Sequence, residues 1–392
     1  MAARSGASPH HQRSRDRASA RAAGYNVGAP RWGYFDPILL VAALALTGYG
    51  ALMIYSAALP REATGVVISE PVVRHIASAA AGVVAMFVAA RVNYRVLDVL
   101  GWFAYGFGLL LLLAVLAVGV EQFGSRRWFD LGFTLVQASE IGKLLTIVGL
   151  AKFLTDYRDR LHEPRIFLLS LSVAVVPGFL VFLEPDAGSS AVFLVLWAVM
   201  AAFAGASAKH FLALGVVTVA LVPAVLVVGV QDYQRSRIES FFDPEADPQG
   251  SGFNVLQAEL AVGSGGVTGK GFTEGTQTQL DFLRTQTTDF IFSVLAEELG
   301  FAGAMVLFAL FLILILRLLR AIMKAPDSFG QLLIAGIVTL IVVQTFIAVA
   351  VNIRLMPVTG IPLPFISVGN ASILVMFAAL GLTQSVLLHR DT

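Results

Sequence analysis

The chain has 392 residues, 57% of them hydrophobic and 14% charged, with a mean hydropathy of +0.79 and a formal net charge of +1. Soluble domains carry about 25% charged residues, so the composition excludes an ordinary soluble enzyme and indicates a polytopic membrane protein, while the net charge gives no footing for nucleic-acid binding. With no cysteine, disulfides, thiolate catalysis, Fe–S clusters and Cys-ligated zinc are excluded.

Residues 1–33 are rich in Arg, Ser and Ala, with six Arg and one Asp. No apolar run of the signal-peptide type follows directly, so a disordered basic tail is expected, with residues 34–392 as a single ten-helix transmembrane domain. Spanning takes about 20 apolar residues. Ten segments qualify, near 36–58, 72–90, 99–120, 139–155, 166–183, 188–206, 211–230, 290–316, 329–353 and 367–388. The expected fold class is therefore all-α, with a large extracytoplasmic loop between helices 7 and 8. Ten spans put both termini on one side. If that side is cytoplasmic, it collects the six tail arginines with Arg91, Arg95, Lys152, Arg158, Arg160, Arg165, Lys209, Arg317, Arg320, Lys324 and Arg390, which is 17 of the 27 Lys and Arg. That bias predicts both termini inside.

The six histidines show no metal-ligand spacing. His10 and His11 lie in the tail; His75, His162, His210 and His389 stand singly near segment ends, as interfacial side chains. The loop at 231–289 is too long for a simple connector. Its first part is charged and holds Pro244 and Pro248. Phe253 to Val262 has near-helical apolar spacing and predicts a short helix on, or dipping into, the membrane interface. Gly263 to Gly271 follows. It is no Walker A loop, because Gly271 follows Lys270 where Ser or Thr is needed and no strand precedes it. A tightly turned loop near a ligand is expected instead. No internal repeat of the inverted-transporter kind is visible.

Asp289 stands between a polar loop and a long apolar run. A carboxylate at that boundary works or is paired. It reads either as a helix N-terminal acid beside a Thr287 or Thr288 cap, or as a general base facing an aqueous mouth. Glu140 and Lys143 share one helix face at i, i+3 spacing, as functional charges or as a structural ion pair. Arg126, Arg127 and Trp128 offer guanidinium forks suited to pyrophosphate or carboxylate, or an interfacial anchor. Asp186 lies in the hairpin Glu184-Pro-Asp186, which needs no second acid to turn. Met356 to Gly369 holds three prolines and two glycines; such backbone at membrane depth must be buried in protein or line a wet cavity.

Taken together, these stretches resemble the SEDS family (shape, elongation, division and sporulation), most closely its RodA branch. The matching segments are Arg126–Trp128, Gln137 to Lys143, Glu184 to Gly188, the glycine-rich run into Thr276-Gln277, Thr288 to Gly300, and Pro357 to Ser367. The resemblance implies a peptidoglycan glycosyltransferase that polymerises lipid II at the outer face of the bacterial plasma membrane during elongation, paired with a class B penicillin-binding protein. It implies Asp289 as the catalytic residue. Arg126, Arg127, Trp128, Glu140, Lys143, Asp186, Thr288 and Ser367 become substrate-binding candidates, and no organic cofactor is expected. A divalent cation such as Mg²⁺, held by Glu140 or Asp289, is the one cofactor considered. The chain departs from the family pattern at Ala138 (usually Pro), at Gly369-Asn370 (usually Gly-Gly) and at Arg284-Thr285 (often Pro-Glu). A lipid II flippase, an FtsW-like division paralogue and a scaffold for the penicillin-binding protein are the alternatives.

Overall fold

Apolar helices form where the hydropathy predicts them. The computed structural model describes residues 29–59, 68–122, 125–130, 132, 135–228, 240–243, 251–280 and 285–391. The basic tail through residue 28, much of 229–250 and Arg284 lie outside the described residues. Seven helices are long and apolar enough to span by length and composition. They are α1 (Pro37–Ala57), α2 (Glu70–Arg91), α3 (Arg95–Val118), α5 (Pro164–Leu183), α10 (Ile291–Lys324), α11 (Ser328–Asn352) and α12 (Asn370–Leu388). Three more complete the expected set: α4 (Ala138–Asp156), α6 (Ala187–Phe203) and α7 (Ala208–Val228). Within α4, Glu140, Lys143, Lys152 and Asp156 hold down the hydropathy. The chain is thus an all-α, multi-pass membrane protein.

Burial sorts the helices. The spanning window of α12 is 83% buried and that of α11 67%, against 22% for α3. The first two are central, and α3 faces outward. Helices α2 and α12 touch closely through small residues. A Cβ on Gly381 would stand 2.4 Å from the Met86 carbonyl oxygen, and one on Gly82 would stand 2.7 Å from the Phe377 ring. Glycines at such crossings let helix backbones approach.

The first and last described segments meet at one end of the bundle. The Arg31 N–H donates to the Leu388 carbonyl at 3.1 Å, and the Arg390 guanidinium lies 3.6 Å from the Tyr34 ring centre. Described structure therefore begins a few residues before the expected boundary at 33. Beside it, Asp36 caps α1 and pairs with Arg317 at 2.6 Å.

Two features were not expected. Residues 120–137 form a three-stranded antiparallel sheet, β1 (Val120–Gln122), β2 (Ser125–Asp130) and β3 (Leu135–Gln137). These strands are too short and too mixed in polarity to show a period-2 pattern. Secondly, α10 is two helices joined at a kink: Gly300 has φ 63° and ψ −162°.

The predicted loop helix is present as α8 (Ser251–Ser264), followed by a single turn, α9 (Thr276–Gln279). The glycine-rich run between them is tightly turned, with positive φ at Gly266, Gly269 and Gly271. It packs backbone to backbone against the break in α10. The Lys270 and Gly271 amides donate to the Glu297 and Glu298 carbonyls at 3.0 Å each, while Phe301 and Ala302 donate to Gly266 and Val267 at 2.9 Å each. The buried Glu297 carboxylate accepts from Lys270 Nζ at 2.7 Å, the Gln277 amide at 2.9 Å and Thr276 Oγ1 at 3.0 Å. A Cβ on Gly269 (φ +78°) would come within 2.1 Å of the Glu298 carbonyl oxygen, and one on Gly300 within 2.3 Å of the Gly269 nitrogen.

Gly269→Ala and Gly300→Ala are each expected to lower stability by at least about 2–3 kcal/mol, because a positive-φ penalty adds to a backbone clash. Gly48→Ala, in α1 with nothing within 4 Å of its Cβ position, should be neutral or slightly stabilising. Thermal unfolding of the detergent-solubilised protein checks both.

Candidate active site

Chain direction alone gathers the site. Starting from the end where Arg31 meets Leu388, the helices alternate. The sheet, the 184–186 hairpin, residues 285–290 and the 353–369 segment therefore all fall at the opposite end. There they surround a cavity of about 570 Å³. Its wall includes Arg74, Arg127, Trp128, Gln137, Thr288 and Asp289. The deepest of these within a helix, Arg74, is only in the second turn of α2.

Asp289 is half-buried and lies just before Phe290, the N-cap of α10. Phe290 offers no side-chain cap, and α10 has no acid in its first turn. The expected threonine cap is not formed either: Thr288 Oγ1 donates to the Thr285 carbonyl at 3.2 Å. Three consecutive carbonyls fix the backbone here. The Val368 amide donates to Thr287 O at 3.0 Å. Ser367 Oγ donates to Thr288 O at 2.7 Å, and Asn352 Nδ2 donates to Asp289 O at 2.8 Å. Asn352 is completely used: its second N–H donates to Ala348 O at 2.8 Å, and its Oδ1 accepts from the Ser293 amide at 2.9 Å and Ser293 Oγ at 2.7 Å. The carboxylate itself is aimed at the cavity, where a Cβ on Gly360 would be 3.9 Å from its Oδ2.

Successive residues of a strand point to opposite faces, and this parity separates the paired arginines. Arg126 lies 3.7 Å from Glu121, with both side chains about 60% exposed, and is not part of the described cavity wall. Arg127 turns inward. It pairs with Asp186 at 3.3 Å and lies 4.5 Å from the Trp128 ring centre, a cation–π contact. Asp186 also accepts from Gln137 Nε2 at 3.3 Å and caps α6 through the Ser189 amide at 2.9 Å. Its role is to hold Arg127 and Gln137 in the wall, since it does not line the cavity itself.

Glu184, in the same hairpin, is buried with no partner on either carboxylate oxygen. Burial, reinforced by the neighbouring Asp186 charge, pushes its carboxyl up to about 9. It is therefore neutral at physiological pH.

Glu140 and Lys143 form the ion pair that their spacing predicts, at 2.6 Å and fully buried. Gln344 of α11 closes over the second carboxylate oxygen at 3.5 Å. Neither is among the residues that line the cavity; the pairing is the structural one of the two readings their spacing allowed. Ser367 is likewise buried and spent on backbone, accepting from the Leu363 amide at 2.9 Å. His75 is not interfacial: it is buried, 3.2 Å from the Thr47 carbonyl oxygen. Among the described residues no three His, Asp or Glu side chains form a metal-ligand group, and Glu140 is not brought to Asp289's cavity as a second ligand. Three wall or clamp residues escaped the sequence reading: Asn352, Arg74 and Asn370. Asn370 occupies the usual Gly-Gly position, lines the cavity and accepts from Ser78 Oγ of α2 at 3.1 Å.

Comparison with known proteins matches this layout. The family model FtsW/RodA/SpoVE, described as "Cell cycle protein", covers residues 37–392. The chain belongs to this family. Peptidoglycan glycosyltransferase MrdB of Escherichia coli K12 is 36% identical over 362 residues, which is 91% of this chain and 94% of that protein. Stage V sporulation protein E of Bacillus subtilis is 34% identical, over 90% and 96%. Among solved structures, the rod shape determining protein RodA of Thermus thermophilus superposes with TM-score 0.67 at 27% identity, covering 91% and 98%. A chain from a study of "polymerization and crosslinking by a peptidoglycan synthase complex" superposes with TM-score 0.76 at 29%, covering 91% and 99%. The FtsW/RodA/SpoVE fold thus accounts for the whole described bundle.

Two outcomes are expected here. Asn352→Ala strands the buried Ser293 donors and frees the Asp289 carbonyl, so it should cost about 2–4 kcal/mol of stability; equilibrium unfolding measures this. For Glu184, a carboxyl raised in the folded state stabilises fully below its unfolded value near 4.5 and loses that contribution as pH rises toward about 9. The melting temperature of Glu184→Gln should therefore gain on wild type progressively from pH 5 to 9, whereas parallel curves would show that Glu184 does not titrate in this window.

Proposed function

We propose that the protein is a peptidoglycan glycosyltransferase, polymerising lipid II at the outer face of the bacterial plasma membrane during elongation. The observation that carries this is Asp289: a carboxylate on a cavity wall whose backbone is fixed by three successive hydrogen-bonded carbonyls. A general base needs that geometry before it needs a tuned pKa. The resemblance to an E. coli peptidoglycan glycosyltransferase supports the reaction class.

In the proposed step, the C4 hydroxyl of the acceptor N-acetylglucosamine attacks C1 of the donor N-acetylmuramic acid. The new C1–O bond forms as the bond from C1 to the pyrophosphate oxygen breaks, with inversion. The hydroxyl proton passes to Asp289, and the electron pair leaves with the polyisoprenyl pyrophosphate. Guanidinium groups stabilise the charge that develops there, and the cavity wall offers Arg127 and Arg74. Of the two residues considered as cation ligands, Asp289 lines the cavity and Glu140 does not; a divalent cation would be held by protein through Asp289 alone and would supply neutralisation of charge. Glu140, locked to Lys143, takes no part.

The cavity then opens on the extracytoplasmic side and both termini are cytoplasmic, in line with the Lys and Arg bias. The proposed partner is a class B penicillin-binding protein that crosslinks the strands. This rests on the likeness to a chain from a synthase complex.

Asp289→Asn keeps size and most hydrogen bonding but removes the base. With purified lipid II and a cognate partner, kcat is expected to fall about 10²–10⁴-fold, with KM little changed because ground-state binding is intact. Equal polymer from both proteins would reduce Asp289 to a structural acid.

A further inference from the structure

Gln286 belongs to the turn that carries Asp289, but its side chain goes elsewhere. Thr285, Thr287, Thr288 and Asp289 line the cavity. Gln286, between them, is half-buried and is not part of the described wall. Its Nε2 donates to the Ala57 carbonyl at 2.7 Å. Ala57 is the last residue of α1. The final carbonyls of a helix have no partner within it, so an amide that reaches one satisfies a standing acceptor. Gln279 does the same one residue back, donating to the Ser56 carbonyl at 3.3 Å. The end of α1 therefore receives two glutamines from the segment that leads to Asp289.

Helix α1 is a firm reference for that turn because it is fixed along its whole length. At one end Asp36 pairs with Arg317 at 2.6 Å. Further along, Tyr49 Oη donates to the Gly303 carbonyl at 3.0 Å, just past the break in α10, and Ser56 Oγ donates to Glu298 at 2.6 Å, just before it. Helix α1 thus splints the two parts of α10 across Gly300. It also reaches the other side of the Asp289 turn. A Cβ on Gly50 would stand 2.6 Å from the Ile366 carbonyl oxygen, and the next residue, Ser367, donates to Thr288 O at 2.7 Å. The contacts close a ring: α1 to Gln286, along the turn to Thr288, across to Ser367 and Ile366, and back to α1. In such a ring the turn cannot shift against α1 without breaking a contact.

Building on the glycosyltransferase reading, we propose that Gln286 is a positioning residue for Asp289, setting the reach of the carboxylate into the cavity by tying its turn to the end of α1. Gln286 itself touches no substrate. Asn352, Ser367 and Val368 hold the carbonyls of residues 287–289 from one side, and Gln286 opposes them from the α1 side. A base must stand within hydrogen-bond reach of the proton it removes, and a displacement of about 1 Å costs on the order of 10²-fold in rate. The helix end also dictates which side chains serve here. It needs a donor, and its partial negative charge favours a cation and repels an anion.

The test is polymerisation of purified lipid II by the full chain in nanodiscs with a cognate partner, set beside hydrogen exchange on the same samples. Gln286→Ala should lower kcat about 10- to 100-fold while KM stays within about 2-fold of wild type. Gln286→Glu has the same length but no donor when ionised, and should fall at least as far, because an anion is repelled at a helix C-terminus. Gln286→Lys returns a donor to the helix end and should bring kcat back to within about 3-fold of wild type. A role in folding alone would lower the melting temperature and the active fraction but leave kcat per folded enzyme level, and that result would overturn the proposal. The amides of Thr288, Asp289 and Phe290 all donate to the Thr285 carbonyl. Gln286→Ala should speed their exchange roughly 10-fold, and Gln286→Lys should not. Unchanged exchange would overturn the proposal whether or not polymer is made. Faster exchange alongside a wild type that makes no polymer keeps Gln286 as the anchor of the turn and removes the reaction, whereas an active wild type with unaffected variants keeps the reaction and removes the role of Gln286.

Discussion

A helix broken at a depth that water does not reach leaves backbone donors and acceptors that only protein can pair. The end of the bundle that bears Asp289 is organised around two such places, one on each side of the short first part of α10. Below it, the break at Gly300 is filled by the Gly265–Gly271 backbone. Above it, the turn at 285–290 is pinned through the carbonyls of residues 287, 288 and 289. Between them, Glu297 takes up Lys270 and the start of α9, while Ser56 Oγ of α1 donates to Glu298 at 2.6 Å. The result is a helical segment of about nine residues held at both ends, with Asp289 at its head. A site built on a clamped element keeps its geometry far better than one on a free loop.

The same economy governs the charges. A buried ion pair is costly to break because the surviving partner is left uncompensated. Lys143–Glu140 and Arg127–Asp186 are both buried in this way, so neither cation is freely available to a ligand. Exposure decides which charge can change partners, and at the cavity that singles out Arg74. Arg127 still contributes a fixed positive field at the wall, because Asp186 holds it without enclosing it.

The spans were legible because hydropathy over about 20 residues is a strong signal, and the position of Asp289 at the head of α10, on the cavity wall, was legible as a carboxylate placed between a polar loop and an apolar run. The uses of the other polar residues were not legible, and the reasons are specific. Spacing shows that Glu140 and Lys143 share a face but not that they satisfy each other. Adjacent positions such as Arg126 and Arg127 diverge only once a strand imposes its parity, and β2 is too short to show a pattern. Asn352 closes an apolar helix and reads as an end residue. A buried amide at a span terminus was the available signal, since such groups need partners. Ala138 shows the reverse case: it is the first residue of α4, where proline is favoured but not required, so the departure there changes little.

The shape of the cavity separates an enzyme from a carrier. A path for moving a polar headgroup across the membrane needs polar lining through the inner half of the bundle. Here the described lining stops within the first two turns of the helices that bear it. The Glu140–Lys143 pair lies beyond it without facing it, and Ile147, Leu150 and Leu154 are buried apolar side chains further along α4. An apolar groove between α2 and α12 adjoins the cavity at Arg74, Asn370 and Ala371. A floor beneath the cavity suits a reaction that keeps its product on one side of the bundle, and does not suit a carrier.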